Sequence, residues 1–123
     1  MPDQILVLVA EDEELVRLVI VAALEDAGFE VIEAEHAEAA LGVLQNHAAR
    51  IDVLFTDIHM PGTMDGIALA RHTAKNWPKI AVLVTSARPP PHQPSLPEKS
   101  RFLAKPYRHD RVFRHIRELV AAA

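Results

Sequence analysis

With 123 residues, half of them hydrophobic, the chain has enough apolar mass for one domain with its own core and too little length for a second. A net charge of −4, with lysines and arginines scattered along the chain, argues against nucleic acid as a direct partner, and the lack of cysteine excludes disulfides and thiolate chemistry. The longest wholly apolar run, Leu18 to Leu24, falls far short of the ~18 residues that mark a membrane span, and Asp3 stands where a basic signal flank would lie, so a soluble cytoplasmic protein without a membrane partner is expected.

Short apolar runs then alternate with stretches of helical period. Ile5 to Ala10 (ILVLVA) is a branched run of strand length, followed by a helical stretch that Gly28 stops. In that stretch Leu15, Leu18, Val19, Ala22 and Ala23 share one face and are expected to form its apolar side. FEVIEA follows as a half-polar strand, and Ala37 to Asn46 returns to helical spacing through Ala40, Leu41 and Leu44. DVLFTD is a second buried strand, GIALARHTAKNW a helix ended by Pro78, and IAVLVTS a third buried strand. A short strand, RFLA, precedes Lys105-Pro106 and a helix from about Asp110 whose apolar positions are Val112, Phe113, Ile116, Leu119 and Val120. Repeated strand-helix alternation predicts an α/β fold with a parallel sheet covered on both faces.

One interval breaks the rhythm. Where a helix should follow Ser86, the chain reads ARPPPHQPSLPEKS, with prolines at Pro89, Pro90, Pro91, Pro94 and Pro97. Each proline removes a backbone donor and costs ~3 kcal/mol inside a helix, so this helix is expected to be missing or irregular. Extended or polyproline II structure is expected in its place.

Ligands of open parallel sheets bind beyond the carboxyl ends of the strands. Those ends deliver Glu11 and Asp12 from the first strand, Asp57 from the third, Thr85 and Ser86 from the fourth, and Lys105 from the fifth. Three carboxylates repel one another unless a cation joins them, and hard divalent ions of the magnesium type take such oxygen ligands. Asp57 is therefore expected at a solvated rim beside a metal ion and a lysine.

These residues resemble the receiver domain of two-component response regulators, the CheY-like family. The match runs in register: the acidic pair Glu11-Asp12, Asp57 after the third strand, then MPGTMDG, Thr85 and Lys105-Pro106. The resemblance implies a doubly wound, five-stranded, flavodoxin-like sheet of order 2-1-3-4-5 forming a single receiver domain over residues 1–123. It implies Asp57 as phosphoacceptor, charged by a sensor histidine kinase or a histidine phosphotransfer protein in a phosphorelay. It also implies Mg2+ (or Mn2+) held by Asp12, Asp57, Glu11 mainly through water, and the backbone carbonyl of His59. Lys105 would bind a phosphoryl oxygen next to a cis bond to Pro106, Thr85 would be the switch hydroxyl, and Phe102 the aromatic switch. His59 and Ala87 occupy the positions that help orient a hydrolytic water, and Ala87, having no polar group, implies slow hydrolysis. Receivers report through the fourth helix and its neighbours, so here the segment from Arg88 to Pro97 would carry the output or, failing that, the last helix would.

Each residue also has a plainer reading. Glu13 and Glu14 suit a helix start, where acids favour the dipole. Thr85 could be an ordinary β-branched strand residue and Phe102 a core residue. The seven histidines show no metal-ligand spacing, and His59 and His92 read as polar loop residues. The protein is expected to catalyse only its own phosphotransfer and dephosphorylation. An aspartate-nucleophile phosphohydrolase is the enzymatic alternative, but such enzymes carry a second acid two residues after the nucleophile, where this chain has His59. A pseudo-receiver acting without phosphorylation is the other alternative, and its usual sign is loss of a site residue. The only departure here is Glu11 in place of the family's commoner aspartate. Met1 and the terminal Ala121-Ala122-Ala123 favour a complete small protein.

Overall fold

Three buried apolar runs and two half-polar ones form five strands, β1 (Leu6–Ala10), β2 (Glu30–Ala34), β3 (Val53–Asp57), β4 (Ala81–Ser86) and β5 (Ser100–Ala104). They join in one parallel sheet of order β2-β1-β3-β4-β5, the doubly wound arrangement that the family resemblance implies. The structure is a computed structural model and describes residues 4–87 and 99–122. The proline-rich stretch of residues 88–98, with the expectations of an irregular helix and an output role placed on it, lies outside the described residues. Among the described residues there are four α-helices: α1 (Glu14–Asp26), α2 (Ala37–His47), α3 (Gly66–Asn76) and α4 (His109–Ala121). None is long and apolar enough to cross a membrane.

Alternation along each strand sorts the core into two layers. Leu6, Leu8 and Ala10 face one side with Leu54, Val82 and Val84, where α2 and α3 close over them with Ala40, Leu44 and Leu69. Val7, Val9, Val53, Phe55 and Leu83 face the other side, under α1 and α4. Side chains such as Leu8, Leu24 and Ile116 have no more than 1% exposure, and each contributes roughly 1.5–3 kcal/mol by leaving water. The helices of the first layer start on side-chain caps: His36 Nδ1 accepts from Ala39 N at 3.0 Å and Asp65 Oδ1 from Ala68 N at 2.9 Å.

The buried face of α1 differs from the sequence expectation. Ile20, Val21 and Leu24 are buried together with Arg17, whereas Leu15, Leu18 and Val19 are 73, 51 and 49% exposed. The helix is apolar almost all round, so its periodicity alone could not choose the side. The choice is settled by partners: Arg17 can be buried because its guanidinium pairs with Glu33 on β2 and with the Glu11 carbonyl, and the apolar residues on its side of the helix follow it inward.

Candidate functional site

The carboxyl ends of four strands converge because parallel pairing keeps their ends level. Asp57, the last residue of β3, lies opposite Thr85 of β4, and Ile58 N donates to the Thr85 carbonyl at 2.8 Å. Glu11 follows β1, with its N–H on the Ala34 carbonyl at 3.1 Å, and Lys105 follows β5, with its N–H on the Ser86 carbonyl at 2.9 Å. The main chain thus sets the spacing of all three charged side chains before any of them interact.

Lys105 Nζ bridges two acids, 2.7 Å from Asp57 Oδ2 and 3.0 Å from Glu11 Oε1. Asp57 Oδ1 accepts from His59 N at 3.1 Å, and Glu11 Oε2 accepts from Glu13 N at 3.1 Å. Carboxylate oxygens of Glu11, Asp12 and Asp57 lie within 4.8 Å of one another. Asp57 is not at an open, solvated rim as the sequence led us to expect: it is 8% exposed, because α3 closes against its main chain, and its charge is met by Lys105. Burial pushes the Glu11 carboxyl up from its ordinary value, against the hydrogen bonds from Glu13 and Lys105. Burial works against the Lys105 charge as well, but its bonds to Asp57 and Glu11 prevail and hold its pKa above the ordinary lysine value.

One ammonium does not neutralise three carboxylates, and the surplus is what a hard divalent cation with oxygen ligands would balance. A second feature bears on what the site can accept: Thr85 Oγ1, across from Asp57, is buried and without a hydrogen-bond partner among the described residues. Buried hydroxyls are rarely left so, since each costs about 1–3 kcal/mol. The donor set and the unpartnered hydroxyl both suit a site that accepts a metal ion and an added oxygen-rich group.

The other residues singled out from the sequence fall around this centre. His59 is exposed and touches the site through its main chain, Ala87 is exposed on a groove shared with Lys105, and the bond between Lys105 and Pro106 is cis. Phe102 is not in the cluster: in register with Val84, it packs partly buried against the layer under α2 and α3. His92 lies outside the described residues.

Three contributors escaped the sequence reading. Tyr107 packs edge-on against Phe55, with ring centroids 5.8 Å apart, and burial pushes its hydroxyl up to about 12 against the pull of the Lys105 charge. Gly66 sits where a Cβ would lie 1.8 Å from the Asp57 carbonyl oxygen, so α3 starts directly on the acceptor's main chain. Its place in MPGTMDG was the available signal. Finally, Glu38 of α2 latches the loop after β3, with Oε2 accepting from Thr63 N at 2.9 Å and Oγ1 at 2.6 Å beside Gly62, whose φ is +111°.

The latch has a pH signature. The Thr63 hydroxyl, ahead of the backbone bonds, lowers the Glu38 pKa from 4.5 to about 2. A lowered carboxylate pKa means that the latch contributes fully above pH 4.5 and is lost as pH falls through about 2. Thr63→Val should move the Glu38 midpoint up toward the ordinary carboxylate range in an NMR titration. An unmoved midpoint would show that the hydroxyl does not hold Glu38.

Comparison with known proteins agrees with this arrangement. The family model for the response regulator receiver domain matches residues 7–117. The chain is 33% identical over 117 residues to the response regulator receiver protein CpdR of Brucella abortus, covering 93% of this chain and 89% of that protein. It is 31% identical over 117 residues to the sensor kinase CckA of the same organism, covering 93% of this chain but spanning only 12% of that much longer protein. Among solved structures, the receiver domain from the hybrid histidine kinase CckA superposes with a TM-score of 0.79 at 29% identity, covering 94% of this chain and 98% of that one. Sheet order, strand-end acids and sequence therefore agree: the chain belongs to the response regulator receiver domain family of two-component systems.

Proposed function

We propose that Asp57 accepts a phosphoryl group from a phosphohistidine on a sensor kinase or histidine phosphotransfer protein, with Mg2+ or Mn2+ bound. The observation that carries this reading is the Asp57 carboxylate at the end of β3, held between Lys105 and the His59 N–H with Glu11 and Asp12 beside it. In the transfer a carboxylate oxygen forms the new P–O bond as the donor's P–N bond breaks, and the imidazole leaves with a proton. Phosphoryl transfer depends mainly on positioning and charge neutralisation. Asp12, Asp57, Glu11 and the His59 carbonyl would hold the metal, which supplies neutralising charge. Lys105 would shift to the incoming phosphoryl oxygens, and Thr85 Oγ1 would gain the partner it lacks.

The groove lined by Leu15, Val16, Val19, Ala87, Lys105 and Pro106 supports a protein donor. Exposed apolar side chains beside a charged site suit a protein surface better than a small molecule. Ala87 offers no polar atom to a hydrolytic water, which supports a long-lived phosphoryl group. On this reading the protein catalyses only its own phosphorylation and dephosphorylation. Donor chemistry tests the proposal. An acyl phosphate should label the protein once per chain, and a phosphomonoester such as p-nitrophenyl phosphate should not be turned over. Sustained phosphomonoester hydrolysis without labelling by the acyl phosphate would make it a phosphohydrolase instead.

A further inference from the structure

Arg17 is the charged residue at the edge of the cluster that the phosphotransfer chemistry leaves without a task. We propose that it is a positioning residue for the acidic pair, fixing the peptide between Glu11 and Asp12 so that the carboxylates are set for a divalent cation. The inference rests on the metal-dependent reading of the site.

The guanidinium is buried, with the residue 8% exposed, although it stands on a helix with ample solvent-facing surface. Its two bonds have different consequences. Nε donates to Glu33 Oε1 at 3.0 Å, and the Glu33 side chain is 46% exposed, so this bond reaches toward solvent and supplies a counter-charge. Nη1 donates at 2.9 Å to the carbonyl oxygen of Glu11, which belongs to the peptide unit leading into Asp12. A bond from a charged donor to a buried carbonyl is stronger than a neutral one and fixes the peptide plane.

Every other polar group of Glu11 is already held: its N–H by Ala34, Oε1 by Lys105 and Oε2 by Glu13 N. Arg17 completes the set. The exposed Asp12 carboxylate has no hydrogen bond or ion pair to another described residue, so its placement is inherited from the peptide that Arg17 grips. Residues that orient metal ligands in this way typically cost 10–100-fold in affinity when replaced.

The sign of the effect separates positioning from charge. By Coulomb's law alone, deleting a buried cation next to a cation site should tighten metal binding. If Arg17 positions the ligands, deletion should weaken it. Mn2+ binding followed by the loss of the free-ion EPR signal reads this directly, with thermal melting to report folding. Arg17→Met is expected to weaken Mn2+ about ten-fold or more. Glu33→Gln, which leaves the Glu11 carbonyl bond in place, should change affinity by less than about three-fold. Arg17→Met that binds Mn2+ as well as or better than the parent overturns the assignment, as does Glu33→Gln weakening binding equally. If Arg17→Met does not fold, Arg17→Lys takes its place, since it keeps the charge but loses the two-pronged reach; it should bind more weakly, and unchanged affinity again overturns the assignment. A parent protein that binds no Mn2+ would instead overturn the metal reading of the site, and the role of Arg17 with it.

Discussion

Asp57→Asn should abolish phosphoryl uptake and leave a folded protein. The amide keeps the size of the carboxylate and can still accept from one of its two donors, His59 N or Lys105 Nζ, but it removes both the attacking carboxylate oxygen and the charge opposite Lys105 Nζ at 2.7 Å. The ammonium is not orphaned, because Glu11 Oε1 remains 3.0 Å away. The variant therefore avoids the 3–5 kcal/mol penalty of a buried charge left without its only partner. Intact-mass measurement after incubation with an acyl phosphate should show one added phosphoryl group on the parent and none on the variant, with melting temperatures that stay close. Equal labelling of the two would mean that another side chain is the acceptor.

The second large effect is on the fold itself. A Cβ at Gly66 would meet Asp57 O at 1.8 Å, Asp57 C at 2.7 Å and Ile58 Cα at 2.8 Å. All three are main-chain atoms, so no rotamer change can relieve the overlap. Gly→Ala in a helix ordinarily gains about 0.5–1 kcal/mol. Here the closure of α3 onto β3 must open instead, and Gly66→Ala should cost ~3 kcal/mol or more, with loss of Asp57 labelling as the acceptor is displaced. Gly42 in α2 is the internal control: a Cβ there meets nothing within 4 Å, so Gly42→Ala should be neutral or stabilising. Urea unfolding of the two variants gives the comparison. Gly66→Ala as stable as Gly42→Ala would contradict the close approach of α3 to the acceptor strand.

The central strands were legible because buried parallel strands are written as continuous apolar runs, and LVLVA, VLFTD and AVLVTS have few other uses, whereas the strand order came from the family resemblance alone. The charged centre was legible for a related reason: Glu11, Asp12 and Asp57 each stand immediately beyond or at the end of such a run, and Lys105 stands just beyond the shorter RFLA. What the pattern could not convey was orientation. On α1, Leu15, Leu18 and Val19 form as good an apolar stripe as Ile20, Val21 and Leu24, and only the pairing of Arg17 with Glu33 and Glu11 decides between them. Hydropathy marks an arginine as a surface residue, and the two acceptors that bury it come from β2 and from the turn after β1. Gly66 stands within the MPGTMDG motif, but its role depends on a closeness of α3 to β3, where a Cβ would lie 1.8 Å from Asp57 O, that only the three-dimensional arrangement reveals. Asp57 was placed correctly along the chain and too near solvent in space, since the depth of a strand end is set by the loop and helix that fold over it.

Dependence of Asp57 phosphorylation on a divalent cation is the most direct test of the account. The measurement is intact mass and peptide mapping after incubation with an acyl phosphate, in Mg2+, in excess chelator, and after Mg2+ is restored. Three carboxylates within 4.8 Å and one ammonium leave the site negative toward an anionic donor, so the account predicts one phosphoryl group on Asp57 in Mg2+, none in chelator, and full recovery on restoration. Labelling of Asp57 at the same rate in chelator would contradict it.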